Sequence, residues 1–470
     1  MSEELSDGSA EGTYGLTESH ERFLRDLFPG GQALFRQEQT WIYGTDAGRF
    51  YAPPWAVVRP SGLEQVRELM RWAQVEQVPL FPRARGTNVV GGCVPRGGGV
   101  VVSTLAMGNI LELDARDFIA VVQPGVSSAG LRDRAQEAGL FYPPDPASIG
   151  ISSIGGNAAT NAGGMRALKY GVTGDYVLGC EAVLPGGKVL RSGGRVHKDA
   201  VGLDLTSLLV GSEGTLALMT ELTLKLLPLP EASASILAGF GSQASGLEAA
   251  RGVFGSGLLP AALEFMDRQA VQCLRSADAY EMPGDIDFLL LFKLDGSRSC
   301  LESDIETLRL ILGKHEPKML LAGKTPREEE ELWEARRALN PASFQLGPDK
   351  LSLDVAVPRS SIGLAVDLAQ EVGRRNGIHT VTFGHLGDGN IHVNFIYHAE
   401  RGEADMARRA ASELVQGVLR LRGTVSGEHG VGLAKLSYAE QQLSRDQTGI
   451  MREIKRVFDP KGILNPGKGY

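Results

Sequence analysis

Cysteine is scarce in this chain of 470 residues: Cys93, Cys180, Cys273 and Cys300 lie far apart and form no C-x-x-C pair. Neither a disulfide framework nor a thiolate or iron–sulfur site is suggested, and the four read as reduced, mostly buried thiols. Positive charge is also in deficit, with 48 Lys and Arg against 56 Asp and Glu for a net charge of −8, so a nucleic-acid partner has no electrostatic support. No apolar run approaches the ~20 residues that span a bilayer, and the N-terminus has no basic start followed by an apolar segment. The expectation is a cytoplasmic protein without a transmembrane segment, peripheral at an inner membrane only through a partner.

Glycine, by contrast, is abundant. Sixty glycines without a fixed period cluster between apolar segments, which excludes collagen-like and disordered composition and points to backbone brought close to something. The length implies two or three domains. Residues 1–17 read as an acidic, disordered tail, followed by a helix over Ser19 to Leu27, a short strand at Trp55–Pro60, and a helix from Ser61 to Glu76 with Ser61 as its N-cap. Then Pro82-Arg83-Ala84-Arg85-Gly86-Thr87-Asn88 follows a strand with small residues, two arginines and a hydroxyl, a chemistry suited to a pyrophosphate, yet it is neither G-x-G-x-x-G nor a P-loop. The run Ser152–Gly164 is nearly bare of bulky side chains and suits the lining of a large planar ligand. Pro228-Leu229-Pro230 marks a boundary, after which amphipathic helices alternate with strands as in a second α+β domain with an antiparallel sheet.

Chemistry concentrates in Gly384-His385-Leu386-Gly387-Asp388-Gly389-Asn390-Ile391-His392-Val393-Asn394 and, downstream, Gly427-Glu428-His429-Gly430. Thr380–Phe383 and Ile391–Tyr397 are β-prone and Gly387–Asn390 is turn chemistry, so the first stretch predicts a hairpin with His392 and Asn394 on one face and Ile391, Val393, Phe395 and Tyr397 on the other. His385, His392 and Glu428 could hold one divalent cation (Zn, Mn or Fe), leaving a position open for substrate and His429 as a spare base. A lone histidine beside a glycine-rich turn is more often structural; the combined set shifts that balance. Asp388 is assigned to the turn.

Six motifs, Pro82–Thr87, Ile154–Gly164, Gly211–Thr215, Gly384–His392, Ser426–Gly430 and Asn465-Pro466-Gly467, resemble in order those of the FAD-linked 2-hydroxyacid dehydrogenases of the vanillyl-alcohol-oxidase fold, in the group of D-lactate dehydrogenases and glycolate oxidase FAD subunits. The similarity covers residues 40–470. It implies an α+β architecture: a two-part PCMH-type FAD-binding domain over 18–228, an α+β cap domain over 229–430, and a C-terminal segment, 431–470, packing back on the first domain. It implies non-covalent FAD, because the first loop has Ala84-Arg85-Gly86-Thr87 where some relatives carry a flavin-tethered histidine. By the same resemblance the cofactor would meet Arg83, Ala84, Arg85, Gly86, Thr87, Asn88, Asp145, Ser152, Gly155, Gly156, Asn157, Asn161, Gly163, Glu213, Gly214 and Asn465. His385, His392 and Glu428 would be metal ligands, His429 the base, and Arg336, Lys350 and Asn394 substrate contacts, with Arg336 pairing the substrate carboxylate.

The implied activity is oxidation of a small 2-hydroxy acid, D-lactate or glycolate, by hydride transfer to flavin N5, with a metal-assisted histidine taking the hydroxyl proton. Ser352 stands where relatives acting on larger diacids have a lysine, which favours a monoacid. Electrons would pass to a quinone, a cytochrome or an iron–sulfur partner subunit, in a homo-oligomer or a hetero-complex. Two rival readings are a flavin-binding electron relay without turnover of its own and a non-flavin metal hydrolase; the second leaves the glycine-rich first half unexplained.

Overall fold

The computed structural model describes residues 15–278 and 281–469. As far as residue 14 the expected tail lies outside the described residues, while Thr17 already caps the first helix, Glu18–Leu27. The chain divides into two compact units, one made of residues 1–162, 172–229 and 429–470 and the other of 163–171 and 230–428. A sequence boundary at Pro228–Pro230 does not reveal that residues 163–171 belong with the second unit. Among the described residues no helix is long and apolar enough to cross a membrane.

In the first unit β1 (Ala33–Leu34), β2 (Ala56–Val58), β3 (Leu80–Arg83) and β4 (Val100–Ser103) form a sheet ordered β1-β2-β4-β3, parallel except for β1. Val100, Val101 and Val102 are all buried because both faces are covered: Ala56, Val58, Leu80, Val100 and Val102 join the larger core, and Val57, Phe81 and Val101 a smaller one behind it. Helix Leu63–Glu76 packs Val66, Leu69, Met70 and Ala73 into the larger core. Ser61 does not cap it; Gly62 is the N-cap residue, and Ser61 instead donates to the Gln65 side chain.

The unit continues with β5 (Ile110–Asp114), β6 (Ile119–Val122), β7 (Leu140–Phe141), β8 (Val177–Val183), β9 (Val189–Gly193), β10 (Leu218–Lys225) and β11 (Leu227–Pro228). Of these, β5-β6-β10-β8-β9 form an antiparallel sheet and β7 pairs with β11. The bare run after Ser153 is in part a helix, Ile154–Thr160, ended by Asn161 in the left-handed region at φ 49°.

The C-terminal segment completes β3: the Leu80 N–H donates to the Ile463 carbonyl at 2.8 Å and the Asn465 N–H to the Leu80 carbonyl at 2.7 Å. Fully buried Asp459 holds this segment, accepting from the Ile463 and Leu464 N–H groups at 3.1 and 2.8 Å and from Lys455 Nζ at 2.5 Å. Asn465, with φ 45°, then donates its amide to the carbonyls of Gly92 and Glu213 at 3.0 and 2.6 Å.

The second unit is one seven-stranded antiparallel sheet of β12 (Ala232–Phe240), β13 (Ala262–Met266), β14 (Phe288–Gly296), β15 (Met319–Gly323), β16 (Asp349–Ala356), β17 (His379–His385) and β18 (Asn390–Tyr397), in the order β15-β12-β14-β13-β17-β18-β16. The β17–β18 hairpin buries Val381, Phe383 and Ile396 in a core shared with helices Arg268–Ser276 and Pro326–Ser343, while Ile391, Val393 and Phe395 are buried as the alternate set. The antiparallel α+β character expected for residues 229–430 is what the sheet shows.

Asp459→Ala would leave Lys455, itself largely buried, without its carboxylate and free two backbone N–H groups of the segment that completes β3. The expected cost is about 3 kcal/mol, the lower end for breaking a buried pair, read as a lower urea midpoint for the first unit.

Candidate active site

Strand register, rather than proximity in sequence, assembles the cluster in the second unit. On β13 Glu264 lies directly across from His385 on β17; Phe383 lies across from His392 on β18; and His392 lies across from Asp354 on β16. Directly opposed residues share a face. Four adjacent strands thus present two imidazoles flanked by two carboxylates. The hairpin turn is tight, and Gly389, at φ 92°, lies where any Cβ would run into the Val357 carbonyl. Gly427 is bare for a similar reason, since its Cβ would overlap the Asn390 amide.

His385 Nε2 lies 3.4 Å from His392 Nε2, and each is 3.7 Å from Glu428 Oε1. The centre of such a triangle is about 2.1 Å from every corner, which matches a Zn–N bond of ~2.0–2.1 Å. Neutral imidazole and carboxylate are the donors that Zn, Mn or Fe accept, so the residues fit a divalent cation. Asp388 belongs to the turn, where it accepts from the Asn390 N–H at 3.0 Å, and burial pushes its carboxyl up to about 6.

Two acids missed in the sequence hold these ligands. Glu264, with no exposed surface, accepts from His385 Nδ1 at 2.5 Å through Oε1 and from Arg336 Nε at 2.8 Å through Oε2. Asp354 accepts from the Asn390 amide at 2.6 Å and from the Gly427 and Glu428 N–H groups at 3.1 and 3.0 Å, with His392 Nδ1 3.8 Å away. Each had one visible sign, a single acid inside an apolar strand: Ala-Leu-Glu-Phe-Met and Leu-Asp-Val.

Burial would raise the Glu264 carboxyl, but the charges of His385 and Arg336 hold it below its ordinary value. Burial would likewise lower His385, yet Glu264 and Glu428 raise it well above the usual histidine range, and they do so while Glu428 itself is held at about 2, burial being overcome by His385 and His392. Without a cation the imidazole proton is what balances the carboxylates; a divalent ion would replace it.

Helix Pro326–Ser343 brings Arg336. Its start is fixed by a capping box between Thr325 and Glu328, and buried Glu329 accepts from the hydroxyls of Ser233 and Ser235 at 2.6 and 2.7 Å. Trp333 Nε1 donates to Ser235 at 3.0 Å. One turn on, the Arg336 guanidinium lies 4.5 Å from the Phe383 ring centre, and that ring is 5.6 Å from the His392 ring. Asn394 is buried and shares a face with His392, accepting from Ser352 Oγ at 2.7 Å. Lys350 is further along β16, bonded to the Asn340 side chain and 4.9 Å from the Phe344 ring centre.

Many residues read as flavin contacts in the first unit have side chains occupied in bracing loops. Arg83 donates to the Thr45 carbonyl and to Cys93 Sγ, and Asn88 donates to the His429 carbonyl at 2.8 Å. Ser152 Oγ and the Asn157 amide both meet Ser128 Oγ, each at 2.9 Å, and Asn161 accepts from the Gly174 N–H at 2.8 Å. Glu213, at φ 52°, accepts from the Val431 and Gly432 N–H groups at 2.7 and 2.8 Å, although burial raises its carboxyl. Arg85 is exposed, Ala84, Gly86, Thr87, Asp145 and Gly156 are half-buried, Gly155 and Gly214 are buried, and buried Gly163 falls in the second unit. One observation here fits a bound cofactor: Ser153 Oγ is buried with no partner, a group that costs about 1–3 kcal/mol unless a ligand answers it. Gly156, whose Cβ would sit 3.0 Å from Ala84 Cβ, lets the helix start close on the loop after β3.

Two family models match the chain: an FAD binding domain over residues 54–193 and the C-terminal domain of FAD linked oxidases over 229–469. The glycolate oxidase subunit GlcD of Bacillus subtilis (strain 168) is 37% identical over 431 residues, 91% of this chain and 92% of that protein. The D-lactate dehydrogenase of Anaerostipes hadrus is 34% identical over 447 residues, 92% of each chain. Among solved structures, p-cresol methylhydroxylase with substrate bound superposes with a TM-score of 0.80 at 18% identity, covering 97% of this chain and 98% of that one, a likeness of fold.

Cation binding should follow the donor set. His392→Ala and Glu428→Gln are expected to lose stoichiometric metal, measured by elemental analysis after dialysis. Because the His385 proton is held above the ordinary histidine range, it competes with the ion, so Mn2+ affinity should rise from pH 6 to pH 8, tested by titration calorimetry.

Proposed function

The chain belongs to the FAD-linked oxidases, and from that membership we propose that it oxidises a small 2-hydroxy acid, D-lactate or glycolate, to the 2-oxo acid. The observation that carries this reading is the His385–His392–Glu428 triad, tied through buried His385 and one carboxylate to Arg336. When bound, FAD would supply the two-electron acceptor, and a divalent cation held by His385, His392 and Glu428 would supply a Lewis acid.

Arg336 binds the carboxylate. Its Nε is committed to Glu264, which fixes the guanidinium plane and leaves the terminal nitrogens to grip two oxygens. Phe383 beneath it excludes water from that face. Oxidation removes a hydride from the α-carbon, for which FAD would be the acceptor, and a proton from the adjoining hydroxyl; His429, the residue after Glu428, takes the proton. Ser352 and Asn394, bonded to each other, offer a small polar wall where a longer acid would need a cation, and Lys350 is engaged with Asn340. The relatives named as subunits support assembly with a partner, and the electron acceptor in this proposal is a quinone, a cytochrome or an iron–sulfur partner subunit.

Anaerobic mixing of metal-replete protein with D-lactate, and separately with glycolate, should bleach the flavin absorption with one of them. A colourless protein unable to take up FAD would sink the proposal, and a yellow one that neither acid bleaches would remove these two substrates. His429→Ala should keep flavin and metal while kcat falls roughly 10²–10⁴-fold, the usual contribution of a general base. Retained full turnover would eliminate this base.

A further inference from the structure

We propose that Glu264 is a positioning residue that makes cation affinity and substrate-carboxylate binding depend on each other. The idea rests on the metal and Arg336 assignments above, and adds that neither group is set independently.

Glu264 has no exposed surface and uses one oxygen for each partner, Oε1 for His385 Nδ1 and Oε2 for Arg336 Nε. Its place is dictated twice. Strand pairing sets it opposite His385, and its neighbours Leu263 and Phe265 are buried, so the backbone carrying it has little freedom. Neither partner can shift without the carboxylate. His385 turns its other nitrogen, Nε2, toward His392 and Glu428, so the hydrogen bond at Nδ1 selects the tautomer whose Nε2 lone pair faces the ion. On the other oxygen, the Nε bond aims the guanidinium edge that would meet a carboxylate.

The carboxylate is needed, not merely its shape. Glu264→Gln has one acceptor oxygen and an NH2 group, so it can satisfy His385 Nδ1–H or Arg336 Nε–H but sets a donor against the other. A ligand-orienting contact of this kind is worth about 10- to 100-fold in metal affinity.

The test uses the full-length protein with bound FAD and measures Mn2+ affinity by titration without substrate, and kcat and KM separately with the acid that bleaches the flavin. In Glu264→Gln, Mn2+ affinity should fall at least about tenfold and KM should rise by a similar factor, with FAD stoichiometry unchanged. Arg336→Met is the second variant, and it serves if Glu264→Gln does not fold. Arg336 is not a metal ligand, yet removing it releases one arm of Glu264, so Mn2+ affinity should change several-fold. Wild-type Mn2+ affinity in Arg336→Met would overturn the coupling, as would Glu264→Gln with wild-type affinity and KM. A wild-type protein that takes up no Mn2+ would instead remove the metal reading beneath it.

Discussion

A carboxylate with no exposed surface must be answered by donors or by positive charge, and in the second unit His385 and Arg336 answer Glu264 with both. The solution is economical in residues but demanding in geometry. An imidazole across the sheet and a guanidinium from a helix approach from two sides, each with a further commitment: the imidazole to His392 and Glu428, the guanidinium to the face of Phe383. An antiparallel sheet suits this task because register fixes which side chains oppose one another. A one-residue slip of β17 against β13 would send His385 to the opposite face.

The first unit works on a different principle. Its polar side chains are spent on holding loops to one another: Asp46 on the Gly48 and Gly91 N–H groups, Asn465 on the Gly92 and Glu213 carbonyls, Lys468 on the Val94 carbonyl at 2.7 Å. Burial lowers the Lys468 ammonium to about 8, so even the cation in this web is there for its hydrogen bonds as much as its charge. Loops braced in this manner can offer main-chain groups to a ligand in fixed positions.

That contrast explains what could be read from the residues alone. The hairpin and its His-x-Asn face were legible because alternation and a Gly-Asp-Gly turn are local properties, and His392 and Asn394 indeed share a face. The antiparallel second unit was legible from its change of texture. Glu264 and Asp354 were not, since their importance depends on which strand lies beside them, a pairing across 121 residues for Glu264 and His385. Arg336 came only through resemblance; on its acidic helix it looks like one charge among many. Among the residues assigned to the cofactor, the side chains of Arg83, Asn88 and Ser152 are engaged internally, while Ser153, one residue along, carries an unanswered hydroxyl that composition alone does not single out. Ser61 lost its capping role to geometry of the same scale, displaced by the neighbouring Gly62 and the Gln65 side chain.

The threading of the chain has a consequence for how the molecule comes into being. The first unit is built from three pieces, and the last, residues 429–470, contains the strand-like segment that completes β3 and the Asn465 amide that spans Gly92 and Glu213. A ribosome delivers these residues only after the whole second unit has been made. Long-range closure of this kind is slow, and it orders events. The unit that begins first is completed only after the second, so its glycine-rich loops must wait until residues 429–470 have been made before they can be locked around anything.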